Sequence, residues 1–424
     1  MVAPAPRGAV ASAIMTVGTG PSPFTETTTS ARRAAYEQLT ASGPVQETVL
    51  FTGVRVWLVS GYAEARALLA HPGIAKRPGG PHFDQTPAEL NAAQNTHMLT
   101  SNPPDHTRLR RLVSAAFTRR RIDTMAPRIQ AITDALLDDV ATAGRAGEPV
   151  DLAAVFGYPL PIAVITELLG VPEQRREAFR DWTTIVINGS VYPADTYVDA
   201  VEQLVGYVRG LIAEKRAAPA DDLLSDLIAV RDGTDRLSED ELTSMVKLLL
   251  VAGYETTASL IVLGTHALLS HPEQRQLLRA EPDRLPVAIE EMLRYDPPLQ
   301  VAIPSVTTTP VDVGGVTIPA GEVVVPVLFT AGRDPARFED PGGFDIARAE
   351  AAQHLAFGHG IHHCLGAPLA RLEGRIAIGS LLARFPDLHL ADGAADPARH
   401  PSLLVNAMAE LPVRTSRSRV HQQG

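Results

Sequence analysis

The stretch that decides the fold reads LAFGHGIHHCLGAPLARLE and runs from Leu355 to Glu373. It carries three glycines within nine residues, Gly358, Gly360 and Gly366, and the only cysteine of the chain, Cys364. Glycine tolerates a positive φ and lets the backbone approach a flat ligand closely. The pattern therefore predicts a loop that holds a sulfur atom against something planar.

The position of Cys364 predicts a thiolate. A helix is expected from Leu365 onward, with Pro368 tolerated in its first turn. A sulfur at that helix start faces unsatisfied N–H groups and the positive end of the helix dipole, and both favour the ionised form. One alternative is a buried, inert cysteine. Another is a zinc site formed by four residues, His359, His362, His363 and Cys364.

Composition narrows the class of protein. The chain has 424 residues, 45% hydrophobic and 20% charged, with a net charge of −10. These values are typical of a soluble globular protein and disfavour a nucleic-acid binder. A single cysteine excludes an intramolecular disulfide, a four-cysteine iron–sulfur cluster and a cysteine-rich zinc ribbon.

Hydrophobic periodicity predicts a mainly α protein with a small β part. A strand is expected over Val54–Val59, a helix over Tyr62–Ala70, a long loop over 77–101, strands between Val311 and Phe329, and a helix over Pro368–Phe385. Length alone would suggest about two or three domains. One large domain fits better, because strands distant in sequence have to pair.

The ends of the chain are expected to lie outside that domain. Residues 1–30 read as a disordered leader, 31–413 as the domain, and 414–424 as a polar tail. Met15 is an alternative start to Met1. No run of 18 apolar residues exists, so we expect no transmembrane span.

A long helix is predicted over Glu239–Ser270, opened by a capping box at Ser238–Glu241. Its middle contains Ala-Gly-Tyr-Glu-Thr-Thr over Ala252–Thr257, where a glycine and polar residues interrupt an apolar run. Thr256 can donate back to the carbonyl of Ala252 and loosen the helix. Such local conflict is expected at functional sites, although a solvated Glu–Thr face is an alternative.

The cysteine loop resembles the haem-binding signature of the cytochrome P-450 family, Phe-Gly-x-Gly-x-His-x-Cys-x-Gly. The matching residues are Phe357, Gly358, Gly360, His362, Cys364 and Gly366. The resemblance implies one large haem-enclosing domain of the cytochrome P-450 fold, with haem b (iron protoporphyrin IX) as cofactor. It makes Cys364 the axial thiolate ligand of the iron, which favours O–O cleavage.

The long helix is similar to the family's Ala-Gly-x-Asp/Glu-Thr-Thr motif. That similarity implies that Glu255 and Thr256 are catalytic and deliver protons during oxygen activation. Ala252 and Gly253 would lie against the haem, and Gly253 would leave space for oxygen or substrate.

Two further motifs resemble the family. Glu291, Arg294 and Arg348 match a structural charge triad behind the haem. His106 and Arg110, four residues apart on one helix face, match a propionate-binding pair, with His362 as a third anchor.

The sequence also departs from the family pattern. Ser305 stands where many bacterial members have another propionate-binding arginine, Asn102 replaces a common aspartate, and His363 replaces a common phenylalanine.

The resemblance implies a haem-thiolate monooxygenase that inserts one oxygen atom of O2 into a large, mainly apolar organic substrate. Natural-product intermediates are favoured: macrolides or polyketides, cyclic peptides, terpenoids or steroids. Because no reductase domain is present, ferredoxin and ferredoxin reductase are the expected electron donors. The expected pocket residues are Val251, Ala302, Ile303, Val405 and Asn406.

Two alternatives stay open. The same fold could perform oxidative coupling or desaturation, and a different class, a non-redox zinc-binding or ligand-carrier protein, is a remote possibility. We expect a cytoplasmic monomer that binds neither nucleic acid nor membrane.

Overall fold

The computed structural model describes residues 22–77, 79, 82–172, 176–231, 237–394 and 396–415. The described residues form one mainly α domain with a small β part, as predicted. The α-helices in chain order are α1 (Thr29–Ala41), α2 (Tyr62–Leu69), α3 (Ala88–Asn95), α4 (Asp105–Ala116), α5 (Arg119–Thr124), α6 (Ala126–Ala143), α7 (Pro159–Leu168), α8 (Arg176–Ile187), α9 (Ala194–Ala217), α10 (Leu223–Arg231), α11 (Glu239–Ser270), α12 (Pro272–Ala280), α13 (Leu285–Tyr295), α14 (Leu328–Ala331) and α15 (Ala367–Arg384).

The strands are short. They are β1 (Val45–Val49), β2 (Arg55–Val59), β3 (Ile74–Ala75), β4 (Val150–Asp151), β5 (Ser305–Thr307), β6 (Val311–Val313), β7 (Val316–Ile318), β8 (Val323–Pro326), β9 (His389–Leu390) and β10 (Pro412–Arg414).

The main sheet joins distant parts of the chain, which confirms the argument for one domain. Its strand order is β1-β2-β8-β5-β3, and β2 pairs parallel to β8 with Trp57 opposite Val324. A second sheet has the order β4-β10-β9, and β6 and β7 form a hairpin. The β part is therefore drawn from both ends of the domain.

Helix α11 forms the centre of the α part. It has the predicted bounds, and Ser238 and Glu241 exchange both bonds of the predicted capping box. It is long and apolar enough by length and composition to cross a membrane, but 83% of its most apolar window is buried inside the protein. The apolar surface of this helix is thus used in the core.

The predicted ends of the domain need correction. Residues 1–21 and 416–424 lie outside the described residues, but residues 22–30 do not form a disordered leader. Phe24 is only 2% exposed and its ring packs edge-on against Tyr36. Ser30 donates from its backbone to Asp396 at 2.9 Å. At the other end, Arg414 belongs to β10. Burial of an aromatic ring and pairing with distant residues order both segments.

The predicted loop over 77–101 is also only partly correct. Helix α3 interrupts it and packs on α9 and α11. Its inward residues Asn91, Ala93 and Gln94 are buried. Two of these three are polar, so the apolar spacing that normally marks a helix is missing.

Candidate active site

The cysteine loop is closed by its own backbone. Cys364 lies between a 3-10 turn at Gly360–His362 and the start of α15, and its N–H donates to the carbonyl of Phe357 at 2.9 Å. Gly358 and Gly360 have φ values of +71° and +74°. A Cβ at Gly360 would also lie 2.8 Å from the carbonyl oxygen of Leu69. The predicted glycine requirement is therefore real at these positions.

Two opposing effects act on the pKa of Cys364. The residue has accessible surface, but protein atoms crowd the thiol, and this desolvation raises its pKa. Backbone N–H groups of Gly366 and Ala367 lower the pKa, as expected at a helix start, but with the smaller effect. The thiolate therefore needs a cation at Sγ to become the favoured form.

Three residues support the Phe357 ring and were not predicted. The Arg371 guanidinium lies 4.5 Å from the ring centroid and donates to Glu290 at 2.6 and 2.8 Å. His354 lies 3.1 Å from the same carboxylate. Burial would raise the pKa of Glu290, but hydrogen bonds from Arg371 and His354 bring it to about 2. Arg371 lies one helical turn beyond Ala367, inside the quoted stretch, so the signal was present in the sequence.

The three predicted propionate anchors come together. His106 is 3% exposed, its ring interacts with the Ile361 backbone, and its ring centroid lies 4.4 Å from that of His362. Burial, and then the charge of Arg110, lower the pKa of His106. Arg110 donates to the carbonyl of His363 at 2.7 Å. A buried imidazole beside a guanidinium and a second imidazole fits the carboxylates of a haem.

The centre of α11 contains the predicted hydrogen bond of Thr256 and a glycine, Gly253, that packs against another helix. Thr256 Oγ1 donates to the carbonyl of Ala252 at 2.8 Å, and Ala252 is exposed on the same helix face. Gly253 faces another way. A Cβ there would lie 3.0 Å from Ile165 Cδ1 of α7. This contact favours a packing role, in which the glycine lets α7 and α11 pack closely, over the expectation that Gly253 leaves space for oxygen or substrate.

Glu255 is an isolated buried acid. It is 5% exposed, Oε1 accepts from Asn188 Nδ2 at 3.4 Å, and Oε2 has no partner. Desolvation raises the pKa of this carboxyl to about 8, although the bond from Asn188 acts in the opposite direction. The group therefore holds its proton at neutral pH. Asn188 was not predicted, because it follows α8 and lies 67 residues from Glu255 in sequence.

Comparisons with known proteins agree with this geometry. The family model described as Cytochrome P450 matches residues 194–408. The chain is 47% identical to cytochrome P450 monooxygenase PikC of Streptomyces venezuelae over 91% of each chain.

The chain belongs to the cytochrome P450 family. It is also 43% identical to 6-deoxyerythronolide B hydroxylase of Saccharopolyspora erythraea, over 89% of this chain and 95% of that protein. The solved structure of the tirandamycin C-bound P450 monooxygenase TamI superposes with a TM-score of 0.82 at 40% identity, over 90% of this chain and 97% of that one. The chain is thus a P450 monooxygenase of the haem-thiolate class, with iron protoporphyrin IX as cofactor.

The charge triad of this P450 is fully buried. Arg294 and Glu291 have no exposed side-chain surface and share two hydrogen bonds, of 2.7 and 2.8 Å. Arg294 also donates to the carbonyls of Gly332, Pro341 and Gly343 at 2.7, 2.9 and 2.7 Å. Arg348 Nε lies 3.3 Å from the Glu291 carboxylate. These contacts fix the loop over 332–348 to α13, as expected for a structural role.

One residue expected in the substrate pocket, Asn406, belongs instead to a buried polar network. Asn406 is fully buried and its amide donates to Asp296 at 2.6 Å. Its oxygen accepts from Arg399 at 2.8 Å and from Arg32 at 3.3 Å. Because this polar network uses the whole side chain, Asn406 is a structural residue. Among the other pocket candidates, Val251 and Ala302 are 8% exposed and Val405 is 1% exposed.

The zinc alternative finds no support in the described part of the chain, where no group of three or more His, Cys, Asp or Glu side chains could hold a metal ion. His362 faces His106, and His363 points its backbone carbonyl at Arg110.

Proposed function

We propose that this P450 inserts one oxygen atom of O2 into a large, mainly apolar natural-product intermediate. The observation that carries the proposal is the Cys364 loop, set between positive-φ glycines and the start of α15. The buried ring of His106 lies against this loop, 4.4 Å from the ring of His362. The haem, when bound, supplies the redox chemistry that activates O2 with two electrons. Cys364 Sγ is the proposed iron ligand, and His106, Arg110 and His362 hold the propionates.

Two residues of α11, Glu255 and Thr256, are proposed to deliver the proton that oxygen activation needs. Glu255 keeps its proton at neutral pH in a site that it shares with Asn188. Thr256 lies next to it, and its hydroxyl donates to the carbonyl of Ala252. That bond uses the hydroxyl hydrogen of Thr256. The Thr256 oxygen is therefore left to accept a hydrogen bond from a ligand on the exposed face of α11 at Ala252. We assign Glu255 as the proton source and Thr256 as the group that orients the proton acceptor.

The relatives support the substrate class. The curated relative from Saccharopolyspora erythraea acts as a hydroxylase of 6-deoxyerythronolide B, and the TamI structure contains tirandamycin C. Aliphatic residues such as Val251 and Ile303 suit a ligand of that apolar character. Bacterial P450s generally take electrons from a ferredoxin and its reductase. We assign such a pair to this protein, with exposed arginines such as Arg120 available to an acidic donor.

Spectroscopy of the purified protein tests the proposed iron ligand. Reduced protein with carbon monoxide should show the red-shifted Soret band of a thiolate-ligated haem, and Cys364→Ala should abolish it. His359→Ala, a change in the same loop, should keep the band. A Cys364→Ala variant that keeps the band would refute the assignment.

A binding screen tests the substrate class. Macrolides and other polyketides, cyclic peptides and terpenoids should be titrated into the oxidised holoenzyme, with the Soret band as the readout. We expect saturable shifts from the polyketide group. Small polar compounds are the control group, and shifts confined to them would contradict the proposal.

A further inference from the structure

The charge of Lys76 acts on His362 of the candidate propionate site, and Lys76 has no assigned role. Antiparallel pairing of β3 with β5 sets Ala75 opposite Val306, so the next residue, Lys76, reaches Ser305. Its Nζ donates to Ser305 Oγ and to the carbonyl of Ile303, each at 2.8 Å. An ammonium group has three N–H donors, so one remains after these two bonds.

The backbone of Lys76 is tied to the helix that carries two propionate anchors. The Asn102 side chain accepts from the Lys76 N–H and donates to the Lys76 carbonyl, both at 2.7 Å. The Asn102 carbonyl accepts from the His106 N–H at 2.9 Å in the first turn of α4. A carboxylate could not donate, so asparagine suits this position better than aspartate does. Lys76 and His106 therefore occupy fixed positions relative to one another.

The surroundings of Lys76 are positive and lack an acid. No ion pair to Lys76 exists among the described residues, and burial lowers its pKa to about 8. The charges of Lys76, His106 and Arg110 act together on His362, and among the described residues no carboxylate acts on Lys76 or His106. An anion at hand stabilises a partly buried cation that lies beside other cationic groups.

We propose that Lys76 is a haem-propionate ligand of this P450, and that Ser305 and Ile303 aim its ammonium group at the carboxylate. The inference rests on the proposed haem site. It also explains why a serine can stand at position 305, where many bacterial members have an arginine. The residue after β3, Lys76, supplies the cation that β5 lacks, and the Ser305 hydroxyl positions it.

The rate of haem loss from holoenzyme to excess apomyoglobin tests the assignment. Lys76→Met keeps the length of the side chain and removes its charge. We expect haem loss to be about tenfold to a hundredfold faster, the effect of losing one hydrogen bond to a charged group. Lys215→Met is the matched control, because Lys215 is another partly buried lysine and pairs with Asp222. It should lose haem at the rate of the unchanged protein.

Reconstitution with haem dimethyl ester separates a propionate contact from a merely structural role. The ester lacks carboxylate charge, so Lys76→Met and the unchanged protein should release it at rates within about threefold of each other. Equal acceleration for haem and its ester would show that Lys76 only supports the fold, and would overturn the proposal.

The carbon monoxide spectrum distinguishes a wrong assignment of Lys76 from a wrong assignment of the haem site. If Lys76→Met retains the thiolate band and loses haem no faster than the unchanged protein, the Lys76 assignment alone is overturned. If the unchanged protein gives no thiolate band, the proposed haem site and the Lys76 assignment are both overturned.

Discussion

Replacing Arg294 with lysine should destabilise this P450 strongly while keeping the charge. Arg294 bonds Glu291 twice and the carbonyls of Gly332, Pro341 and Gly343 once each, with no exposed surface. Lysine has one nitrogen and cannot reach acceptors on opposite sides. If it keeps Glu291 and one carbonyl, two carbonyls that are buried or partly buried lose the hydrogen bond from Arg294.

The magnitude follows from those two carbonyls. Each buried acceptor left unpaired costs about 1–3 kcal/mol, so we expect the free energy of unfolding to fall by about 3–5 kcal/mol. The unfolding entropy is about 2.1 cal/mol/K per residue. Over 424 residues, a loss of about 4 kcal/mol lowers Tm by about 4–5 °C.

Arg284→Lys is the matched control for this measurement. Arg284 pairs at 2.7 Å with Glu281, at the same three-residue spacing, but with its side chain 38% exposed. An exposed pair of this kind contributes about 0–1 kcal/mol, so its Tm should stay within about 1 °C. Thermal unfolding by circular dichroism at equal haem content measures both variants. Equal Tm changes for the two variants would refute the claim that Arg294 fixes the 332–348 loop.

Three further outcomes are expected. Thr256→Ala should lower the product formed per O2 consumed and raise hydrogen peroxide, because the proton acceptor loses its orienting group. Product per O2 should also fall as pH rises through about 8, where Glu255 loses its proton, and Glu255→Gln should remove this pH step. Gly253→Ala should keep turnover within about threefold of that of the unchanged protein. The added methyl group meets Ile165 of α7, so the substitution should lower stability and not activity.

Each of these outcomes has a control. Thr265→Ala makes the same change on the same helix, at a buried residue far from Ala252, and should leave coupling unchanged. A pH step that persists in Glu255→Gln would assign the titration to another group. If Gly253→Ala loses more than tenfold of its turnover without losing haem, Gly253 does leave space for oxygen or substrate.

The long elements were predictable because local signals specify them. Helix α11 begins and ends as predicted, since a capping box and a sustained apolar pattern act within the segment itself. Helix α3 was missed because polar residues, Asn91 and Gln94 among them, occupy its buried face. Their burial is satisfied by contacts that a local pattern does not contain.

Residue roles were harder to predict where distant segments decide them. The contact of Gly253 with Ile165 depends on how two helices cross, and the bonds of Asn406 depend on Asp296 and two arginines far away in sequence. The thiol of Cys364 has its predicted N–H donors, yet desolvation by the whole loop dominates its pKa. Motifs identify such residues, but the sum of their surroundings decides what they do.

The parallel pairing of β2 with β8 has a consequence for biosynthesis. Trp57 leaves the ribosome long before its partner Val324, and at roughly 5–20 residues per second that interval is on the order of 10–50 s. Throughout it, β2 exposes an open backbone edge that other nascent chains can pair with. The cysteine loop is translated later still. Folding of the sheet therefore comes late in synthesis, and the yield of intact enzyme depends on how well the cell shields the early hairpin of β1 and β2.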